Sequence, residues 1–179
     1  MRIIAGRLKG RRIEGPREAG VRPTSDGLRE TLFNVLGRSV DGARVLDAYA
    51  GTGAVGLEAL SRGAKHVTFV ESNRETALLL AENVARCQAN EACMIVRDEF
   101  ARARLGRFDL VWLDPPYDAR DLAGVLTRAA EVVEADGLVV LEHSRRRATP
   151  EMAAHLTRTR VLVAGDSALS FFAPAPADC

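Results

Sequence analysis

The 179-residue sequence predicts an α/β fold built on a mostly parallel sheet of seven strands with an antiparallel last strand, preceded by a small basic N-terminal extension. Three observations carry this. Short, near-continuous apolar strands alternate with helical segments, the pattern of a parallel sheet covered on both faces. A glycine-rich loop follows the first of these strands directly. The last two strands are separated only by a short loop centred on Gly165-Asp166, too short for a helical crossover, so that pair is expected to be antiparallel.

The elements follow in order. Residues 1–14 alternate around Gly6 and Gly10 and read as a basic, hairpin-like extension, while Gly15, Pro16, Gly20 and Pro23 make residues 15–24 a loop. Thr24-Ser25-Asp26 offers N-capping side chains to a helix whose apolar face is Leu28, Leu32, Val35 and Leu36, ending near Gly37. Strands are expected at 43–48, 66–71, 93–97, 108–113 and 137–143, and helices at 55–62, 73–86 and 122–134. The final strands are expected at 159–163 and 168–172, followed by a Pro174 and Pro176 tail. This gives an extension at 1–24, a main domain at 25–173 and a flexible tail at 174–179.

Composition narrows the function classes. Hydrophobic residues make up 47% and charged residues 27%, an ordinary globular balance. No apolar run approaches the roughly 20 residues that span a bilayer, and the basic N-terminus has no apolar stretch behind it. The expectation is a cytoplasmic protein with no membrane partner. Cys87, Cys93 and Cys179 lack C-x-x-C spacing, and His66, His143 and His155 are scattered, so all six read as structural and no metal is expected. Charge is uneven. Residues 1–38 hold nine basic against four acidic residues, a net of +5, while the remainder holds 16 against 20, a net of −4. A basic arm on a mildly acidic body fits phosphate binding, and Arg2, Arg7, Lys9, Arg11, Arg12 and Arg22 are its candidate RNA contacts, assigned on charge. The bland alternative is a solvated face.

The first strand runs into Asp47-Ala48-Tyr49-Ala50-Gly51-Thr52-Gly53, and ligands of open α/β sheets bind beyond the carboxyl ends of strands. Gly51 and Gly53 allow a sharp turn and close backbone approach to a ligand. Glu71 ends the second strand, 24 positions after Asp47, where a carboxylate can accept both hydroxyl hydrogens of a ribose. Asp98, just past the third strand, can accept from an adenine amine. Gly51-x-Gly53-x-x-Gly56 also satisfies the dinucleotide fingerprint, which keeps a nicotinamide- or flavin-dependent oxidoreductase open. Asp47 opposes a pyrophosphate at that helix N-terminus but attracts the ammonium and sulfonium of S-adenosylmethionine.

The fourth strand delivers Asp114-Pro115-Pro116-Tyr117. Two prolines end the strand and stiffen the turn, because each fixes φ and lacks an N–H. An aromatic amine is a poor nucleophile, its lone pair being delocalised into the ring. Hydrogen bonds from its two N–H groups to the Asp114 carboxylate and the Pro115 carbonyl would orient it and stabilise the positive charge that develops on methyl transfer. Tyr117 supplies a flat face for an extruded base. Alone, such a turn is also a plain strand terminator. Paired with the acidic glycine loop at the carboxyl edge of one sheet, it points to methylation of an exocyclic base amine.

These residues resemble the RsmD-type 16S ribosomal RNA guanine-N2 methyltransferases along nearly the whole chain. The resemblance is carried by Arg2-Ile3-Ile4-Ala5-Gly6 with Gly10-Arg11, Arg22-Pro23-Thr24 with Asp26, and Arg29-Glu30-Thr31-Leu32-Phe33-Asn34. It continues through Asp47 to Gly53, Gly56-Leu57-Glu58-Ala59-Leu60-Ser61-Arg62-Gly63-Ala64, Asp114-Pro115-Pro116-Tyr117 and Gly165-Asp166-Ser167. The chain departs from the family pattern at Ala48-Tyr49 and Thr52, where Leu-Phe and Ser are usual. The resemblance implies a Rossmann-like class I methyltransferase fold, S-adenosylmethionine as co-substrate, and methyl transfer to N2 of a guanosine in the 16S rRNA of an assembled or assembling small subunit. By motif match, Asp47, Gly51 and Gly53 would frame the methionine part of the donor, Glu71 the ribose, and Asp98 the adenine. Ala48, Tyr49, Ser72 and Glu99 would lie beside them as further cofactor-binding residues. Asp114, Pro115, Pro116 and Tyr117 would be catalytic. A DNA or RNA adenine-N6 methyltransferase would use the same four residues, but 179 residues leave no obvious room for a target-recognition region. A non-catalytic RNA-binding or assembly protein of the same fold is the third reading. The short chain without an apolar interface stripe is expected to be a monomer.

Overall fold

The computed structural model describes residues 1–15, 26–116 and 121–175. The chain divides into two compact units, Met1–Ala103 and Arg104–Cys179.

In the first unit, β1 (Arg44–Asp47), β2 (His66–Val70) and β3 (Cys93–Val96) form parallel pairs in the order β3-β2-β1. Phe69, Val67, Leu46 and Val45 are almost fully buried, as expected of strands covered on both faces. The expected helices are all present: α1 (Asp26–Leu36), α2 (Ala54–Ser61) and α3 (Arg74–Arg86). Asn73 caps α3 by accepting from the Thr76 amide at 3.0 Å. The proposed caps Thr24 and Ser25, and the rest of the 16–25 loop, lie outside the described residues.

Every residue of α2 is buried, Glu58 and Ser61 included. A helix hydrophobic on one face needs only the sheet beneath it, so a second cover is required. That cover is the N-terminal hairpin. Its strands meet at an antiparallel bridge between Arg2 and Arg12, with Ile3 N–H donating to the Arg11 carbonyl at 3.0 Å and Ile13 N–H to the Met1 carbonyl at 3.0 Å. Ile3, Leu8 and Ile13 are buried beneath it, each such side chain contributing roughly 1.5–3 kcal/mol. Gly6, at φ +80°, sits so close to α2 that a Cβ there would lie 1.9 Å from the Ser61 carbonyl oxygen. Only glycine permits this approach.

In the second unit, β4 (Phe108–Leu113) and β5 (Val133–Ser144) are parallel, joined by α4 (Leu122–Val132). β8 (Ser167–Pro174) is antiparallel to β5, and β7 (Leu156–Ala164) is antiparallel to β8, as the short Gly165-Asp166 loop requires. The strands lie in the order β4-β5-β8-β7, with the two-residue β6 (Met152–Ala153) last. Among the described residues there are eight strands rather than seven, three in the first unit and five in the second. The additional one is β6 (Met152–Ala153), two residues long and paired antiparallel with β7. Two residues are too few to leave a periodic signal. β5 also begins four residues earlier than its apolar pattern suggests, because Glu134, Ala135 and Asp136 are polar or small and only half-buried or exposed.

Candidate active site

In the first unit the site is built from the loops that follow β1, β2 and β3. The last residue of β1, Asp47, is 1% exposed. Its Oδ2 accepts from the Gly56 amide in the first turn of α2 at 3.0 Å, so the carboxylate serves as the cap that Gly53 cannot provide by side chain. Burial is the dominant influence on its titration. It pushes the carboxyl up to about 7, against the Gly56 hydrogen bond, and the Glu71 charge pushes the same way. Among the described residues no Lys, Arg or His forms an ion pair with it.

The three glycines of the loop separate by role. Gly51, at φ +53°, has open space where a Cβ would stand. Gly53, at φ +80°, would drive a Cβ to 2.3 Å from Leu80 Cδ1, and Gly56 to 2.3 Å from Phe69 Cε1. Close packing therefore demands Gly53 and Gly56, whereas Gly51 alone of the three faces space that a ligand can enter. Thr52 and Ala48 are buried.

Glu71 follows β2 and is half-buried. Its Oε2 accepts from the Gly51 amide at 3.0 Å and its Oε1 from the Asn73 amide at 2.8 Å. Two backbone donors fix the carboxylate, and each oxygen retains a lone pair for a further donor. Ser72 beside it is exposed. Asp98, after β3, accepts from the Glu99 amide at 2.8 Å and lies 3.8 Å from Arg102, which also pairs with Glu99 at 3.3 Å. Tyr49 packs edge-on to Phe100, with centroids 5.7 Å apart, joining the loops after β1 and β3; burial raises its phenol. Asp47 at the end of β1, and Ala48, Tyr49, Gly51, Glu71 and Asp98 in the loops, thus lie at one strand edge of this unit.

In the second unit, Asp114 follows the last residue of β4 directly and is half-buried, Pro115 is buried and Pro116 exposed. Tyr117 lies outside the described residues.

The basic arm is largely engaged with the protein itself. Arg2 Nη1 donates to the Gly10 carbonyl at 2.9 Å, and Arg7 Nε to the Leu60 carbonyl at 3.4 Å. Arg11 donates to the Arg86 carbonyl at the end of α3 and to Gln88, where its charge also opposes the helix dipole. Arg12 pairs with Glu14 at 3.2 Å. Lys9 is exposed. Arg22 lies outside the described residues.

A second group, outside the candidate site residues, gives the motif residues Arg29, Glu58 and Arg62, and Asn83 with them, a structural role. Glu58 is fully buried and accepts from the amides of Ile4 at 2.7 Å and Ala5 at 3.0 Å, and from Arg62 Nε at 2.8 Å. Fully buried Arg29 approaches it at 3.9 Å and donates to the Arg2 carbonyl at 2.7 Å and to Asp26 at 3.0 Å. Asn83 donates to the carbonyls of Glu14 and Thr52, each at 3.0 Å, and accepts from the Glu14 amide at 2.9 Å. One buried amide so ties the arm to the glycine loop. The sequence signal was available: polar residues inside otherwise apolar helical faces.

An acidic glycine loop after the first strand of one unit and an Asp-Pro-Pro turn after the first strand of the other define a protein of the methyltransferase fold. The solved Escherichia coli structure described as "Putative methyltransferase yhhF" is 31% identical, with a TM-score of 0.86 and 99% of each chain covered. The chain belongs to the family described as Conserved hypothetical protein 95, whose model matches residues 1–173, which bears out the RsmD-type resemblance. Its relatives include the Escherichia coli K12 protein named "Ribosomal RNA small subunit methyltransferase D", 33% identical over 96% of this chain and 89% of its own length. The Bacillus subtilis protein named "Putative rRNA methyltransferase YlbH" is 36% identical over 89% of this chain and 91% of its own.

Proposed function

We propose that this chain transfers a methyl group from S-adenosylmethionine to the exocyclic N2 of a guanosine in 16S rRNA of the small ribosomal subunit, in the cytoplasm. Buried Asp47, with one backbone donor and no cationic partner among the described residues, carries the reading on the donor side: such a carboxylate favours a ligand that brings positive charge. The names of relatives matched over nearly their whole length supply the reaction and the rRNA. Among the described residues no helix is long and apolar enough to cross a membrane.

The donor set fits S-adenosylmethionine rather than a dinucleotide. Asp47 occupies the α2 N-terminus that a pyrophosphate would need, and Gly51 leaves the only open approach among the three loop glycines. When bound, the donor supplies an electrophilic methyl group on a sulfonium. Asp47 would attract its positive charge, Gly51 would admit the methionine part against the backbone, and Glu71 would accept the ribose hydroxyls on the lone pairs its amide donors leave free. Asp98 would accept from the adenine amine, with Ala48, Tyr49, Gly53, Ser72 and Glu99 lining the same loops. In the second unit the Asp114 carboxylate and Pro115 carbonyl would accept the two N–H bonds of the guanine amine. This aims its lone pair and stabilises the charge that builds on nitrogen before a proton departs. Pro116 would stiffen the turn and Tyr117 stack on the extruded base. Lys9 and Arg22 would make phosphate contacts, Arg2, Arg7, Arg11 and Arg12 having partners within the protein that they would have to share.

Mass mapping of rRNA from a deletion strain, complemented with wild type or Asp114→Ala, tests this. One N2-methylguanosine should vanish on deletion and return with wild type alone. Persistence of every rRNA methyl mark in the deletion strain would refute the assignment.

A further inference from the structure

The excess of basic residues directs attention to the N-terminal arm, yet most of the arm's arginines hold the arm in place. A second basic cluster, Arg145-Arg146-Arg147, stands in the turn after β5. β4 and β5 are parallel, with Leu113 level with Leu141, so this turn leaves the same edge of the unit as Asp114. Continuing that register sets Asp114 level with Glu142 and Arg145 three residues further on, roughly 10 Å along the neighbouring strand at about 3.3 Å per residue. We infer that the Arg145–Arg146 turn is a phosphate-binding rim of the target-base half, holding the RNA backbone beside the nucleotide that Asp114 engages; this rests on the rRNA reading above.

Two features suit the turn to that role. Its arginine heads face water: Arg145 and Arg146 are exposed, and the ion pair that Arg145 makes with Asp166, at 3.8 Å, is long and exposed on both sides. An exposed pair of this kind contributes about 0–1 kcal/mol and yields readily to a phosphate, which the planar guanidinium fork matches better than an ammonium. Arg147 is half-buried and engaged, so it is not assigned this role.

The turn is also fixed from beneath. The Arg145 amide donates to the Asp166 carbonyl at 2.9 Å, the Arg147 amide to the Ser144 carbonyl at 2.9 Å, and the Arg146 amide to Ser144 Oγ at 3.4 Å. Below lies a buried chain whose polarity is dictated by its ends. His143 Nδ1 faces the Ser144 carbonyl at 2.9 Å and must donate to it, leaving Nε2 to accept from Ser170 Oγ at 2.8 Å. Ser170 Oγ then accepts from Thr149 at 3.1 Å, and Thr149 from Arg158 Nη1 at 2.9 Å. The Gly165-Asp166-Ser167 motif, which the catalytic chemistry does not use, supplies the outer latch: Gly165 makes the turn at φ +65°, Asp166 meets Arg145, and Ser167 donates to Glu142 at 3.1 Å. A backbone held this way presents its guanidiniums with little ordering cost on binding.

The test measures binding of a synthetic 16S rRNA hairpin to wild-type protein and to the Arg145→Ala/Arg146→Ala double variant, across a salt series. Thermal melting and calorimetric S-adenosylmethionine titration accompany it. The double variant should bind RNA about 10-fold or more weakly. Its salt dependence should flatten by roughly 1–2 in log–log slope, at about 0.7 for each single-strand phosphate no longer neutralised. Melting and donor affinity should not change. An unchanged RNA affinity and salt slope would overturn the inference, as would weaker binding matched by a lowered melting temperature that Arg145→Lys/Arg146→Lys shares. Methylation of small subunits by wild type is read in the same preparations. Its absence would overturn the rRNA methyltransferase reading, while the binding comparison would still decide the rim.

Discussion

Glu58 and Asp47 are both carboxylates buried within the first unit, and both accept backbone N–H bonds, but they live in opposite electrostatic circumstances. Glu58 has two guanidiniums, Arg62 at 2.8 Å and Arg29 at 3.9 Å, and its negative charge holds the N-terminal hairpin onto α2. Asp47 has one amide and, among the described residues, no cation, and burial pushes it up to about 7. The first charge is satisfied within the fold and so is structural. The second has no cation beside it among the described residues, and in the proposed reading the donor's positive charge satisfies it, near the loop glycine with open space above it. The difference separates architecture from site among residues that look alike in the sequence.

The comparison can be broken most forcefully at Glu58. Glu58→Ala removes the buried carboxylate that Arg29 and Arg62 share, leaving Arg29 only the exposed Asp26, and frees two hairpin amides, so it should lose about 3–5 kcal/mol, a fall in melting temperature on the order of 10 °C. A melt within a degree or two of wild type would show that the hairpin does not depend on this pair. Asp47→Asn is the mirror case. It keeps an oxygen to accept from Gly56 and should melt near wild type, while S-adenosylmethionine affinity drops roughly 10- to 100-fold, the range of a charge-assisted hydrogen bond of about 1.5–3 kcal/mol. Calorimetric titration reads this, and equal affinity in both proteins would remove Asp47 from the donor site.

The pH dependence at Asp47 has a specific sign. Below the ordinary value of 3.8 both folded and unfolded chains carry the Asp47 proton, and it contributes nothing. Between 3.8 and about 7 only the folded chain binds that proton, so this group's contribution to stability falls as pH rises through the window and is lowest above it. Donor affinity should move the other way, rising up to about 10-fold per pH unit below 7 and levelling above it, because the cation prefers the ionised carboxylate. Asp47→Asn should flatten that rise. An equally steep profile in the variant would mean that another group controls it.

Much of the fold was legible in the sequence. Buried parallel strands leave continuous apolar runs, and capping residues such as Asn73 mark where helices begin. β6 and the first residues of β5 were not legible, since pairing with a neighbour rather than local pattern makes them strands. The motif positions were legible too, but not their division of labour. Gly51, Gly53 and Gly56 are the same residue in the sequence and differ in backbone conformation and in what lies over each Cα. Arg2, Arg11 and Arg12 counted as available charge until their carbonyl and carboxylate partners were placed.

The sequence by itself determined the α/β class, the order of its elements, the family, and the bounds of the fourth strand. These follow from local periodicity, turn chemistry and motif spacing, which act over a few neighbouring residues. Only the tertiary structure decided which charges are already neutralised. Glu58 meets Ile4 and Ala5 across more than fifty residues, Asn83 meets Glu14 across 69, and Asp47 meets no cation among the described residues. Electrostatic energy depends on separation and burial in space, and neither quantity is written in the order of the chain.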